Sequence, residues 1–489
     1  MEKNFKLDWD TLKKHETPEW FKDAKFGIYC HWGPYSVPAY ENEWYSHWMY
    51  VNPDNPEYPQ GKKFYEHHIR TYGPLNEFGY KDFVPMFTAE KFDAAAWADL
   101  FEKAGAKFAG PVSEHADGFA MWDSKLTRWN SKRMGPKRDI MGELSKEIRK
   151  RNMKFIATYH RHWLLGWYPT WDTTTDASNP ELSDLYGPKM KKGDFQYPPT
   201  PHEIDAGIKK YYPLAEEEFN KEWLARLKEI VDNYDPDLVW FDNKMDVIGE
   251  KYRKEFLDYY YTESKKKEQE VVTTYKFYDL AKGTAVLDVE RSRMSEMKDF
   301  PWLTDDSIDW KAWSHIDNPK YKSTNRIIDF LVDVVSKNGC LLLNITPKAN
   351  GEIPGPVQER LLEIGEWLKH NGEAIYGTRP WKIYGEGDAK VIEGHLSEDK
   401  NPDNTAKDIR FTTKNDILYA TVLDWPNETV TIKSLKKNSD YYTGEIKSIQ
   451  LIGSEENITF ERKEDALHIT FPKKPIGKHA FVLKISSAE

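Results

Sequence analysis

The sequence lacks most of the features that would assign it to one of several large protein classes. Among 489 residues there are two cysteines, Cys30 and Cys340. Two cysteines exclude a disulfide framework. Each falls in or beside a predicted strand, where a free thiol behaves as a small buried hydrophobe. No apolar run approaches the roughly 18 residues that a membrane span requires. The opening Met1-Glu2-Lys3-Asn4-Phe5 has no apolar core behind its charges, as a secretory leader would. A cytoplasmic location is therefore expected, or a periplasmic or secreted one if a leader was removed. Positive charge is not in excess: 70 Lys and Arg against 80 Asp and Glu leave a formal charge of −10. That argues against a nucleic-acid partner, which would want a basic face. No phosphate loop or dinucleotide fingerprint occurs, nor any internal repeat or low-complexity tract.

Aromatic residues are abundant, with 19 Trp and 28 Tyr. Flat π faces pack well against the C–H side of sugar rings, so this content favours a carbohydrate ligand. The length exceeds one ordinary domain and implies a large unit with a smaller one attached.

Apolar strand candidates alternate with amphipathic helices through the first three quarters of the chain. The strands are expected at Phe26–Cys30, Phe108–Ser113, Phe155–Tyr159, Leu238–Phe241, Val271–Tyr275, Ala285–Val289 and Leu341–Ile345, with a poorer pattern at Trp302–Ser307. Helices carry Trp97, Leu100, Phe101 and Ala104; Met141, Leu144 and Ile148; and Ile327, Ile328, Leu331, Val334 and Val335. The last is followed by Asn338-Gly339, with Gly as the expected left-handed cap. This alternation predicts an α/β fold, a (β/α)₈-type TIM barrel with some helices missing or distorted, over residues 1–376. Val51 to Gly79 and Thr170 to Pro213 interrupt it as long polar insertions of the kind that cover a barrel mouth. From about Tyr376 the period changes to two, as in Val430 and Ile432 or Leu467, Ile469 and Phe471. An antiparallel β-sandwich is therefore expected over residues 377–489.

Barrel enzymes carry their working groups at the carboxyl ends of strands. Here those ends hold His31, Glu114-His115, Tyr159-His160, Asp242, Lys276 and Glu290. Leu238-Val239-Trp240-Phe241 runs straight into Asp242, as a buried strand does when it presents an acid to a site. A simple helix cap has the same look. Paired carboxylates are the minimal machinery of glycosidic hydrolysis. Asp242 suits the nucleophile. Glu290 suits the acid and base, because partial burial beside Asp242 would raise its pKa; an ion pair with Arg291 or Arg293 is the alternative. Asp288 and Glu296 are rival acids. His31 stands at a Gly-Pro turn, and Glu43-Trp44-Tyr45 pairs an acceptor with a flat apolar face. His160 and His162 bracket Arg161 without a clear third ligand, so no metal site is expected. Asp139 reads as an N-cap.

Several of these segments resemble the α-L-fucosidases of glycoside hydrolase family 29. The matching motifs are Phe26-Gly27-Ile28 through Ser36, Glu43-Trp44-Tyr45, His115 through Ser124, Gly135 through Asp139, Leu238 through Asp242, Leu331 through Asn344, and Asn371 through Gly377. They span most of residues 15–385. The resemblance implies a retaining exo-glycosidase that works through a covalent glycosyl-enzyme, without metal or organic cofactor, on a glycan ending in an α-L-sugar. It implies Asp242 as nucleophile, Glu290 as the best match for the acid and base, and His31, Glu43, Trp44, His115, Tyr159 and Trp240 as pocket residues. His160 and Lys276 are further candidates for contact with the sugar.

Two departures stand out. The family usually carries a second histidine where this chain has Ala116, and often Arg near Lys276. An alternative expectation is an α-L-galactosidase acting on L-galactose or its 6-sulfate, with His160, Arg161 and His162 meeting the anion. A sugar-binding protein without turnover is a third reading. A homo-oligomer is compatible with all three.

Overall fold

The computed structural model describes residues 7–56, 58–192 and 214–487. Eight parallel strands close into a barrel in chain order. They are β1 (Phe26–Cys30), β2 (Phe108–Glu114), β3 (Lys154–Tyr159), β4 (Leu238–Phe241), β5 (Val272–Lys276), β6 (Val286–Glu290), β7 (Trp302–Ser307) and β8 (Gly339–Ile345). Closure is made by β8 against β1, with Phe26 opposite Leu341 and Cys30 opposite Ile345. Both cysteines are buried free thiols. β1, β4 and β8 are largely apolar because both faces are covered: the outer by helices, the inner by the opposite wall. Phe108, Ile156, Leu238, Val272, Leu303 and Leu342 belong to one buried cluster inside the barrel. The ragged pattern at 302–307 is a full strand, buried throughout.

The helices follow local rules. Asp139 caps the helix Ile140–Lys150 by accepting from the Gly142 amide at 3.0 Å. The helix Glu217–Tyr234 stops at Asp235, whose left-handed backbone precedes Pro236. After the helix Thr324–Ser336 the left-handed residue is Asn338 (φ 72°), not the expected Gly339. Gly339 already belongs to β8, and its glycine serves closeness. A Cβ there would lie 2.6 Å from Val334 and 2.7 Å from the Trp302 ring. No α-helix joins β5 to β6 or β6 to β7, which leaves that side of the barrel open to other parts of the chain.

The first insertion contains the helix Gly61–Thr71. The described part of the second, to Lys192, folds through short turns. Its Asp176 accepts from the Tyr50 and Tyr186 hydroxyls; residues 193–213 lie outside the described residues. Beyond the helix Gly355–Asn371 come eight antiparallel strands, β9 (Arg379–Glu386), β10 (Ile409–Lys414), β11 (Ile417–Val422), β12 (Thr429–Ile432), β13 (Ile446–Leu451), β14 (Thr459–Arg462), β15 (Leu467–Thr470) and β16 (Phe481–Ser487). They form a five-stranded and a three-stranded sheet. Alternate residues such as Val430, Ile432, Leu467, Ile469, Leu483 and Ile485 share one core between them. Trp367 ties this unit to the barrel by donating to the Ala480 carbonyl at 2.8 Å, and Arg410 by a buried ion pair with Asp333. Among the described residues, no helix is long and apolar enough to cross a membrane.

Candidate active site

At the carboxyl ends of the strands lies a cavity of about 530 Å³. Strand alternation decides what enters it. On β4, Trp240 faces inward, Phe241 outward, and Asp242, just past the end, inward again. On β3 the same period turns Tyr159 outward and brings His160 into the cavity; on β2 a register irregularity between Val112 and Glu114 breaks the period, so that Glu114 turns outward and His115 enters. Tyr159, expected in the pocket, is thus one residue out of phase. Its ring packs on Trp223 and Phe241 beneath the helices.

Asp242 is held from two sides. His160 Nδ1 lies 3.2 Å from one carboxylate oxygen, and the Asn243 amide donates to the other at 2.8 Å. Burial opposes its ionisation. The His160 hydrogen bond and the Lys276 charge outweigh that, holding the carboxyl well below the usual carboxylate range. Its side chain keeps 21% of its surface accessible, so an ionised oxygen can meet a ligand.

Lys276, at the end of β5, organises the acids. Its Nζ lies 2.9 Å from Glu290, 3.0 Å from Asp305, 3.6 Å from Asp288 and 3.7 Å from Asp242. Burial would depress its pKa, but these four carboxylates raise it well above the usual range. Since one ammonium reaches both, the facing oxygens of Asp242 and Glu290 are within about 7 Å of each other, the scale of a two-carboxylate glycosidase site. Glu290 does not pair with Arg291 or Arg293. Arg291 stands 3.7 Å from Asp306, and Arg293 binds Glu398. The rival Asp288 is fully buried and accepts from the Trp240 indole at 2.8 Å. Burial and then Asp305 push its pKa well up. Glu296 is exposed and does not line the cavity. Lys276, expected to touch the sugar, is 1% exposed, with its charge committed to these acids.

The walls come from loops. His31 is fixed by Asn344 of β8, whose side-chain oxygen accepts from both the His31 amide and its Nδ1 at 2.9 Å. Glu43 accepts from the Trp313 amide at 2.8 Å. Trp44 stacks on Trp48 and meets Trp163 edge-on and Trp167 at a tilt, and Arg291 lies over Trp313, 4.7 Å from its ring centre. Burial holds the imidazoles of His31 and His115 well below their ordinary range, so both are neutral at neutral pH.

Arg161 does not approach the cavity. It is buried on the far side, paired with Glu114 at 2.5 Å and Glu222 at 3.0 Å. His162 donates to the Asn243 carbonyl at 2.7 Å. The expected anion-binding trio is therefore reduced to His160. Residues that sequence reading passed over are Asn344, Trp313, Asp305, Phe277 and His395. Trp313, Phe277 and His395 sit in aperiodic loops that carry no positional signal. The acids of Trp302–Ser307 were visible but made the strand pattern look poor. Ligand nitrogens of His31, His115 and His160 lie within 4.8 Å of one another. Among the described residues this is the one group arranged to hold a metal ion, and the same nitrogens suit sugar hydroxyls.

A closed α/β barrel with facing carboxylates in an aromatic-walled cavity at its carboxyl-end mouth defines a glycoside hydrolase. The family model Alpha-L-fucosidase matches residues 1–373, and that of the Alpha-L-fucosidase C-terminal domain residues 401–486; the chain belongs to this family. It is similar to the tissue alpha-L-fucosidase of Rattus norvegicus (31% identity, covering 98% of this chain and 92% of that one). A similar relation holds to the tissue alpha-L-fucosidase of Mus musculus (32%, covering 97% and 92%). Among solved structures, the Thermotoga maritima alpha-fucosidase in complex with fucose matches with a TM-score of 0.72 at 28% identity, covering 99% of this chain and 100% of that one.

Proposed function

We propose that this protein is a retaining α-L-fucosidase that releases terminal α-L-fucose from oligosaccharides, with residues 1–376 as the catalytic unit. The observation that carries the reading is the pairing of an ionised Asp242 with Glu290 across one cavity, both on the Lys276 ammonium. In the first step Asp242 attacks the anomeric carbon while Glu290 gives a proton to the departing oxygen. A fucosyl ester on Asp242 results. In the second, Glu290 takes a proton from water, the water attacks the same carbon, and the ester bond breaks.

Lys276 serves both steps. Its charge keeps Asp242 ionised for attack, and its contact with Glu290 holds that carboxyl in place. Trp240 and Asp288 support the floor beneath, linked at 2.8 Å. His31, His115 and His160 face the sugar hydroxyls, Glu43 accepts from one, and Trp44 and Trp313 cover the ring. His160 supplies, from the neighbouring strand, the imidazole that Ala116 does not. A 2-fluoro-fucosyl fluoride tests the mechanism: the labelled peptide should contain Asp242, and the first-formed product should be the α-anomer by NMR. A label elsewhere, or the β-anomer first, would overturn it.

A further inference from the structure

The open side of the barrel, where β5, β6 and β7 follow one another without helices, is filled from the far end of the chain. The segment after β9 returns across it and pairs with the last residue of β6 and the one that follows. The Leu396 amide donates to the Glu290 carbonyl at 3.0 Å, and the Glu398 amide to the Arg291 carbonyl at 2.8 Å. Glu398 is buried and clamped by two guanidiniums, Arg293 Nε at 2.7 Å and Arg326 at 2.7 Å. Arg326 also donates to the Glu398 and Asn401 carbonyls at 2.7 and 3.0 Å. This many buried charge-assisted bonds fix the segment as a wall rather than a loose tether.

The wall ends at the cavity. His395 and Leu396 line it together with Phe277 and Arg291. His395 sets its ring edgewise to Phe277, centroids 5.2 Å apart. Its Nδ1 stands 4.0 Å from the Glu290 carboxylate, buried and without a hydrogen-bond partner. Phe277, Arg291 and Leu396 all hold left-handed backbones, with φ of 51°, 42° and 56°. Non-glycine residues pay for that conformation, and such residues gather where a binding surface must be shaped.

An acid that protonates the departing oxygen must face it, so whatever leaves lies beyond Glu290, against these four residues. We propose that residues 394–398 complete a subsite for the leaving sugar. The accessible part of the His395 imidazole meets a hydroxyl of that sugar, and Phe277 with Leu396 receives its C–H face. The ligand class is a pyranose of the glycan chain, since an imidazole and a guanidinium beside two apolar side chains match a ring with both hydroxyls and C–H bonds. This rests on the Glu290 assignment above.

The test compares wild type with His395→Ala and His395→Gln on a fucosyl-lactose trisaccharide and on para-nitrophenyl α-L-fucoside, with free fucose and lactose as inhibitors. His395→Ala should lower kcat/KM on the trisaccharide about tenfold or more and weaken lactose inhibition to match, while the aryl fucoside and the fucose Ki change less than about threefold. His395→Gln should recover about half of the loss. An unchanged fucose Ki shows that the variants are folded. If lactose inhibition is unmoved, or both substrates fall together, the subsite is overturned while the fucosidase reading stands. If wild type cleaves neither fucoside, it is that reading which fails.

Discussion

Strands β4 and β7 stand in the same barrel, both buried along their whole length, yet they are built in opposite ways. β4 is four apolar side chains with its acid placed one residue beyond the end. β7 carries Asp305 and Asp306 inside the strand. Exclusion of water suffices to form β4. β7 forms only because distant residues meet each of its charges. Asp305 accepts from Lys276 at 3.0 Å and from the Tyr29 hydroxyl at 2.8 Å, whereas its neighbour Asp306 is paired with Lys322 on the other face. A buried carboxylate without such partners would cost several kcal/mol. An apolar strand such as β4 supports itself and can be recognised alone, while the charged β7 depends on β1, β5 and the loop that follows β7. The same residues that make β7 dependent make it part of the site.

The sharpest contrast is chemical. Asp242→Asn at the end of β4 should cut kcat on para-nitrophenyl α-L-fucoside by about 10³–10⁵-fold with little change in fucose affinity. Retention of more than a tenth of the rate would remove Asp242 from its role. Next in size is stability. Asp306→Ala in β7 leaves the buried Lys322 without its carboxylate and should cost about 3–5 kcal/mol in urea unfolding. Phe241→Leu in β4 should cost only about 1–2 kcal/mol. Equal losses would break the distinction between the two strands. The double change Asp306→Leu with Lys322→Met should restore much of the stability, because the desolvation cost disappears with both charges.

A smaller effect separates neutral from charged burial. Burial lowers the His162 pKa to about 3 and the His47 pKa to about 4. Below the ordinary histidine value of 6.5 the unfolded chain takes up protons that the folded chain refuses. Their contribution is therefore complete above pH 6.5 and is lost as pH falls toward 4. Each such group adds a slope of about 1.4 kcal/mol per pH unit. Thermal unfolding followed from pH 7 to 4 should show this decline, and His162→Gln should flatten it by one proton; an unchanged slope would count against a neutral His162. The smallest expected effect is inhibition by Zn²⁺ at the three imidazoles, competitive with fucose and weakened about tenfold by His115→Ala. Non-competitive inhibition would place the ion elsewhere.

Most of the fold was legible because parallel barrel strands are buried on both faces and therefore spell continuous apolar runs. β1 and β4 were recognisable residue by residue for that reason, and alternation by two marked parts of the sandwich, such as Val430 and Ile432 of β12 and Leu467 and Ile469 of β15. The site was legible only where a strand end named its own acid. At the end of β3 the sequence offered Tyr159 and His160 side by side, and nothing local says which turns inward. At the end of the helix Thr324–Ser336, Asn338 and Gly339 both fit a left-handed cap, and pairing with β7 assigned the turn to Asn338. Trp313 and His395 lie in loops without period, so no pattern announced them.

Local chemistry along the chain thus determined the barrel, the antiparallel sandwich and the presence of acids at strand ends, since burial and alternation are written into neighbouring residues. Tertiary structure alone decided which of those residues share a cavity. Four carboxylates at β4, β6 and β7 converge on the one ammonium of β5. Glu398 reaches Arg293 across 105 residues of chain and brings His395 to Glu290. Charge pairing acts through space, and a sequence records a charge without recording its partner.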